Sequence, residues 1–152
     1  MEDILHPNVK LEESLEERFA NERKQWDKKV EEISHKMHNV FEIPILMTTL
    51  YTERQIAVEY YHYLISLIIG INKRYNVMYA ERYDHYTFKS QVRYPTESAK
   101  HNRILVDIQD IVEKREIINN HAKFVDKTIG TIDNIIFAIP KRVEIEQISR
   151  GK

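Results

Sequence analysis

Few side chains in this sequence are spaced for chemistry. Glu59-Tyr-Tyr-His62 is a Glu-x-x-His, which on a helix places a carboxylate and an imidazole one turn apart on the same face. Bundles that hold two metal ions use that spacing twice. Here it occurs once, so a carboxylate-bridged metal pair is not expected. Glu31, His35 and His38 share another helix face and could hold a stray divalent ion, but a solvated face is the simpler reading. Neither His-Glu-x-x-His nor Gly-x-Ser-x-Gly occurs. The absence of cysteine removes disulfides, thiolate zinc sites and a thiol nucleophile, and fits an intracellular protein. Gly70, Gly130 and Gly151 stand too far apart to build a phosphate-cradling loop. The expectation is a protein that is not an enzyme, with no catalytic residue, no metal and no cofactor.

Binding is a better prospect than catalysis. The net charge of −1 conceals an uneven distribution, because residues 73–103 carry seven bases against three acids. The bases are Lys73, Arg74, Arg82, Lys89, Arg93, Lys100 and Arg103, and Tyr75, Tyr79, Tyr83, Tyr86 and Tyr94 are interleaved with them. Cations beside flat rings suit single-stranded nucleic acid, since phosphates attract the charge and unpaired bases stack on the rings. The plainer alternative is a solvated helix face with tyrosines packed beneath it.

The elements that would position these residues follow from hydrophobic period. With 152 residues, 3 Gly and 4 Pro, the chain suits one all-α domain of long helices. Residues 1–40 read as an N-terminal helical appendage to a helical domain over 41–152. The appendage is helix over 11–40, where Trp26, Val30, Ile33, Met37 and Val40 step by four and three and Leu11, Leu15 and Phe19 lie ahead of them. Pro44 predicts an extended connector over 41–48. Thr48 or Thr49 then offers a cap for a helix over about 49–88. Its seam runs Leu50, Arg54, Ala57, Tyr61, Leu64, Ile68, Ile71, Tyr75, Met78, Arg82, a heptad spacing. After a link, Thr96 caps a second helix over about 96–139, whose seam runs from Ile104 through Ile118 and Val125 to Ile139. Pro140 ends or kinks it, leaving a short apolar segment over 141–152. Two long helices joined by a short link predict an antiparallel hairpin.

Ile65, Val77, Leu105, Val112, Ile117, Ile135 and Phe137 lie beside the seams. A lone hairpin would leave them wet, at about 25 cal/mol per Å² of apolar surface. Self-association is the expected remedy, with coverage by the N-terminal helix as the alternative. The longest apolar run, Leu64 to Ile71, is too short to span a bilayer, and the acidic Met1-Glu2-Asp3 does not read as a signal peptide, so no membrane partner is expected.

From about Val40 onward the chain resembles the UvsY family of recombination mediators of T-even-like phages. The landmarks are Val40-Phe41, Leu50-Tyr-Thr-Glu53, Arg82-Tyr-Asp-His-Tyr86, Tyr94 with Glu97-Ser98, Asp110-Ile-Val-Glu-Lys114, Phe124, Phe137-Ala-Ile139 and Gly151-Lys152. The resemblance implies a ring-like homo-oligomer of six or seven copies in the cytoplasm of an infected host cell. Such a ring binds single-stranded DNA and helps load a UvsX-type recombinase onto strands covered by the phage single-strand-binding protein. The family's DNA-contacting basic-x-basic falls on Ala80-Glu81-Arg82, so only Arg82 carries over. The expected DNA-binding set is therefore Arg82, Lys89, Arg93, Lys73, Arg74, Lys100 and Arg103, with Tyr83, Tyr86 and Tyr94. The family's self-associating C-terminal helix maps onto Ile129, Ile132, Ile136, Phe137, Ile139, Val143 and Ile145. A coiled-coil adaptor or assembly chaperone without nucleic-acid binding is the rival function.

Overall fold

Heptad spacing organises the molecule, which is a computed structural model describing residues 14–151. Helix α1 (Leu15–Lys36) leads through a 3-10 turn (Val40–Glu42) into α2 (Ile43–Asp84); a π turn (His85–Lys89) and a link follow, then α3 (Glu97–Asp107) and α4 (Gln109–Arg150). No strand occurs among the described residues, and none of their helices is long and apolar enough to cross a membrane. Every seventh residue of α2 from Leu50 to Ile71 is buried, as is every seventh residue of α4 from Ile111 to Ile139. These two stripes form the seam of an antiparallel hairpin. As the α2 partner advances from Arg54 to Tyr60 to Tyr79, its contact across the seam recedes from Asp133 to His121 to His101.

The polar members of the seam set its register. Arg54 on α2 grips the Asp133 carboxylate of α4 through two guanidinium nitrogens. Arg115 on α4 lies 4.2 Å above the Tyr75 ring of α2. Sliding one helix by a turn would break both contacts.

Helix α1 starts at Ser14 with a reciprocal capping box, in which Ser14 Oγ accepts from the Glu17 amide and Glu17 accepts from the Ser14 amide. Phe19, Trp26 and Ile33, again seven apart, are buried in the same core as the hairpin. The described part of the expected appendage is thus a third helix of one bundle, while Leu11 and the rest of residues 1–13 lie outside the described residues. This helix covers one half of the hairpin, pairing Lys29 with Glu53 and Glu22 with Tyr60.

Several expected boundaries move. The connector over 41–48 is not extended: α2 begins at Ile43 with Pro44 in its first turn, where a helix has no use for the missing N–H. Thr48 and Thr49 are therefore inside the helix, not caps, and their hydroxyls donate to the carbonyls of Pro44 and Ile45. At the other end α2 stops at Asp84 and the π turn completes the span to Lys89. Thr96 caps α3 as expected, accepting from the Ala99 amide. The second long helix is broken at Ile108, whose backbone (φ −113°, ψ 23°) leaves the helical region while its side chain stays buried. No Pro or Gly marks that break. Pro140 does not end α4, which continues to Arg150, so the separate segment expected over 141–152 is, as far as Arg150, the end of the same helix. Proline removes one backbone hydrogen bond, but Pro140 is exposed, and Ile139 and Val143 anchor the helix to the core on either side of it.

Gly130 lies exposed inside α4, and a Cβ there would meet nothing within 4 Å. Gly130→Ala should therefore raise unfolding stability by about 1 kcal/mol, measured by urea titration. An unchanged or lower midpoint would show that this glycine has a role beyond the helix.

Candidate nucleic-acid interface

The basic stretch lies at the end of the hairpin that α1 leaves bare, on the last turns of α2, the π turn, the link and α3. Tyr75, Tyr79 and Tyr83, one turn apart on α2, stack in a ladder with ring centroids 6.0 and 6.5 Å apart. The ladder faces the hairpin's other arm. Tyr79 Oη bonds His101 Nδ1 at 2.8 Å, Tyr83 Oη donates to Glu97 at 3.4 Å, and Arg115 covers Tyr75. These rings fasten the end of the hairpin, and Tyr83 keeps only a partly exposed edge.

Asp107, at the end of α3, gathers three of the expected contacts. Tyr86 donates its phenol to this carboxylate, Arg103 Nη2 lies 3.1 Å from it, and Arg82 Nε lies 4.0 Å from it. Arg103 also donates to Tyr86 Oη at 3.2 Å, and the Tyr94 ring meets Tyr86 edge-on at 5.3 Å. Tyr86 and Tyr94 are therefore packing residues, not a stacking platform. Arg82 and Arg103 remain half-exposed but share one counter-ion.

Lys100 is a clear correction to the expected set. Only 8% exposed, its ammonium donates to Glu97 (2.9 Å) and Thr87 (3.3 Å) and sits 4.6 Å above the Tyr83 ring. The bond to Glu97 raises the lysine's pKa and lowers that of the carboxylate, so both stay ionised and cancel. A cation held this way offers nothing to a phosphate.

What remains falls into two groups. Lys89 and Arg93 are exposed at the tip, and Lys73 and Arg74 are exposed on α2. None of the four forms an ion pair among the described residues. Sixteen helical residues would separate Lys73 from Lys89 by about 24 Å, so one protomer carries two cationic clusters instead of one belt. Directly before Lys89 and Arg93 stand two apolar residues that the sequence alone did not single out: Phe88 is 79% exposed and Val92 is 59% exposed. The available signal was an aromatic in the link, off both seams and next to a lysine.

The expected self-association residues divide in the same manner. Ile132 and Ile139 are fully buried within the hairpin core, and Ile129, Ile136 and Val143 pack against it. Those five hold the protomer together, so Ile132 and Ile139 cannot also glue copies. Phe137 and Ile145 are exposed on the opposite face of α4 together with Ile148, and the Lys141 ammonium lies 4.5 Å over the Phe137 ring. Of the lateral stripe, Val112, Ile117 and Ile135 pack onto the core, whereas Val77 and Phe137 stay exposed.

A second polar cluster, also missed, docks α1. His121 on α4 is fully buried, with its ring stacked 3.9 Å from Phe19 and its Nε2 2.9 Å from Glu22. Tyr60 donates to the same carboxylate, and Arg18 pairs with it at 3.1 Å. Burial lowers the His121 pKa, opposed in part by Glu22. Burial also works against the Glu22 carboxylate, yet the hydrogen bonds from Tyr60, Arg18 and His121 outweigh it and lower the pKa. Among the described residues no cluster of three or more His, Asp or Glu side chains is placed to hold a metal ion.

No protein-family model matches the chain, and no curated protein or solved structure is similar to it. Function is therefore read from the tip and the exposed face of α4.

Proposed function

We propose that this chain is a non-enzymatic, self-associating binder of single-stranded DNA that acts as a recombination mediator. The observation that carries the binding is Phe88, an unpacked aromatic ring next to Lys89 and near Arg93, both free of ion pairs, at the tip of a stiff hairpin. The ring supplies a stacking surface and the cations supply phosphate contacts. A single protomer offers few such contacts, and repeating the tip around an oligomer multiplies them into useful avidity. The mediator role, with a UvsX-type recombinase and a phage single-strand-binding protein as partners, rests on the resemblance from Val40 onward.

The test is a salt titration of oligonucleotide binding. Log affinity for a single strand should fall linearly with log salt, at about −0.7 per phosphate neutralised. Salt-independent binding, or none at low salt, would reject the interface.

The exposed Phe137, Ile145 and Ile148 equally favour the rival adaptor, which would oligomerise without binding an oligonucleotide. Phe137→Asp with Ile148→Asp should reduce the mass seen in sedimentation while leaving protomer stability within about 0.5 kcal/mol, as surface changes do. An unchanged mass would remove this face from the assembly. Ile132→Asp is no substitute for that pair, because it places a charge in the protomer's own core.

A further inference from the structure

The groove that α1 occupies does not end where α1 ends. On α2, Glu53, Tyr60, Leu67 and Arg74 stand seven apart along one stripe; on α4, Lys114, His121, Thr128, Ile135 and Arg142 do the same. Helix α1 and the residues after it meet Glu53, Tyr60, His121 and Arg142. The next members, Leu67, Arg74 and Lys114, instead line an open groove of about 550 Å³ with Ile71, Met78 and Ile111 in its apolar floor. Among the described residues it is the same groove with no third helix in it.

We infer that residues 1–13 of this chain fill it. Direction is the first argument. Helix α1 runs antiparallel to α2 with Lys29 at Glu53 and Glu22 at Tyr60, seven residues matched by seven. The same register sets Leu15 level with Leu67, so the chain preceding Ser14 starts at the mouth of the groove. Length is the second. Thirteen residues can span roughly 40 Å when extended, whereas Leu67 to Met78 covers about 16 Å of helix. Chemistry is the third. Ile4, Leu5, Val9 and Leu11 suit the apolar floor. Glu2, Asp3, Glu12 and Glu13 outnumber Lys10 and complement Arg74 and Lys114 on the rim, against Asp110, while Asp107, also in the lining, is already engaged by Arg103 and Tyr86. Attachment to α1 also gives this segment a local concentration that a separate copy does not match.

The cysteine-free full-length chain permits a direct test by disulfide trapping. Asn8→Cys is combined either with Gly70→Cys, inside the groove, or with Ile69→Cys, its neighbour in sequence about 100° around the helix and outside the groove. Gly70→Cys leaves the fold intact, since a Cβ there meets nothing within 4 Å. Under mild oxidation the groove pair should close intramolecularly at least about ten times faster than the Ile69 pair. Ile4→Asp with Leu5→Asp should erase that advantage. Equal rates for the two pairs would overturn the inference. So would a disulfide-linked dimer as the main product of the groove pair, which would give the groove to a second copy.

Discussion

Phe88→Ala, Lys89→Ala and Arg93→Ala combined should lower single-strand affinity at least about a hundredfold. Loss of one stacked base costs about 1–3 kcal/mol, and the two phosphate contacts add to it. The salt slope should also become shallower by about 1.4, twice the single-strand increment, for each protomer that engages the strand. These side chains belong to no part of the buried core, so the thermal midpoint should hold. Lys100→Ala is the informative contrast. Its ammonium is tied to Glu97, Thr87 and the Tyr83 ring, so the loss should appear in the order of the link and leave the salt slope unchanged. Phe88→Trp should keep or improve binding. A triple variant that binds like the parent, or a Lys100→Ala variant that loses the slope, would move the interface away from the tip.

The fold was legible to the extent that it depends on period. Seven-residue spacing on three segments marked Leu50 to Ile71, Ile111 to Ile139 and Phe19 to Ile33, and all of these end in the core. Local breakers were less informative. Pro44 and Pro140 read as boundaries because proline lacks an N–H, but one sits where no donor is needed and the other where the core holds both sides of it. The break at Ile108 has no sequence mark. The candidate interface was legible as a region, while the fate of each charge was not. Glu97 and Asp107 stand one helical turn from Lys100 and Arg103, a spacing open to the sequence, but the Tyr83 ring over Lys100 and the approach of Arg82 and Tyr86 to Asp107 come only through the hairpin. Composition counts Lys100 and Lys89 alike; geometry neutralises the first and leaves the second to solvent.

Acid should loosen α1 from the hairpin. Trp26 on α1, the only tryptophan, is buried against the hairpin and reports the event by fluorescence. The groups around His121 are Glu22, Arg18 and Arg23 from α1 and Tyr60 from α2, with Phe19 and Phe124 on its faces. With Nε2 bonded to Glu22, its Nδ1 has no hydrogen-bond partner. Burial disfavours the charged ring, so the imidazole stays neutral below its ordinary value of 6.5, and protonation would also create a buried donor with nothing to accept it. In the undocked chain that proton binds freely. Docking therefore has its full strength above about pH 6.5 and weakens as pH falls through it, with a further loss when the Glu22 carboxylate protonates below its ordinary 4.5. Trp26 emission should shift to the red between about pH 7 and 5, and His121→Phe, which keeps the stack on Phe19, should flatten that part of the curve. Glu22→Ala should weaken docking at neutral pH by about 1–3 kcal/mol, since Tyr60 and His121 lose a shared acceptor in a partly buried site. An emission maximum that stays fixed across this range in the parent chain would mean that α1 is held by Phe19, Trp26 and Ile33 strongly enough for the histidine not to matter.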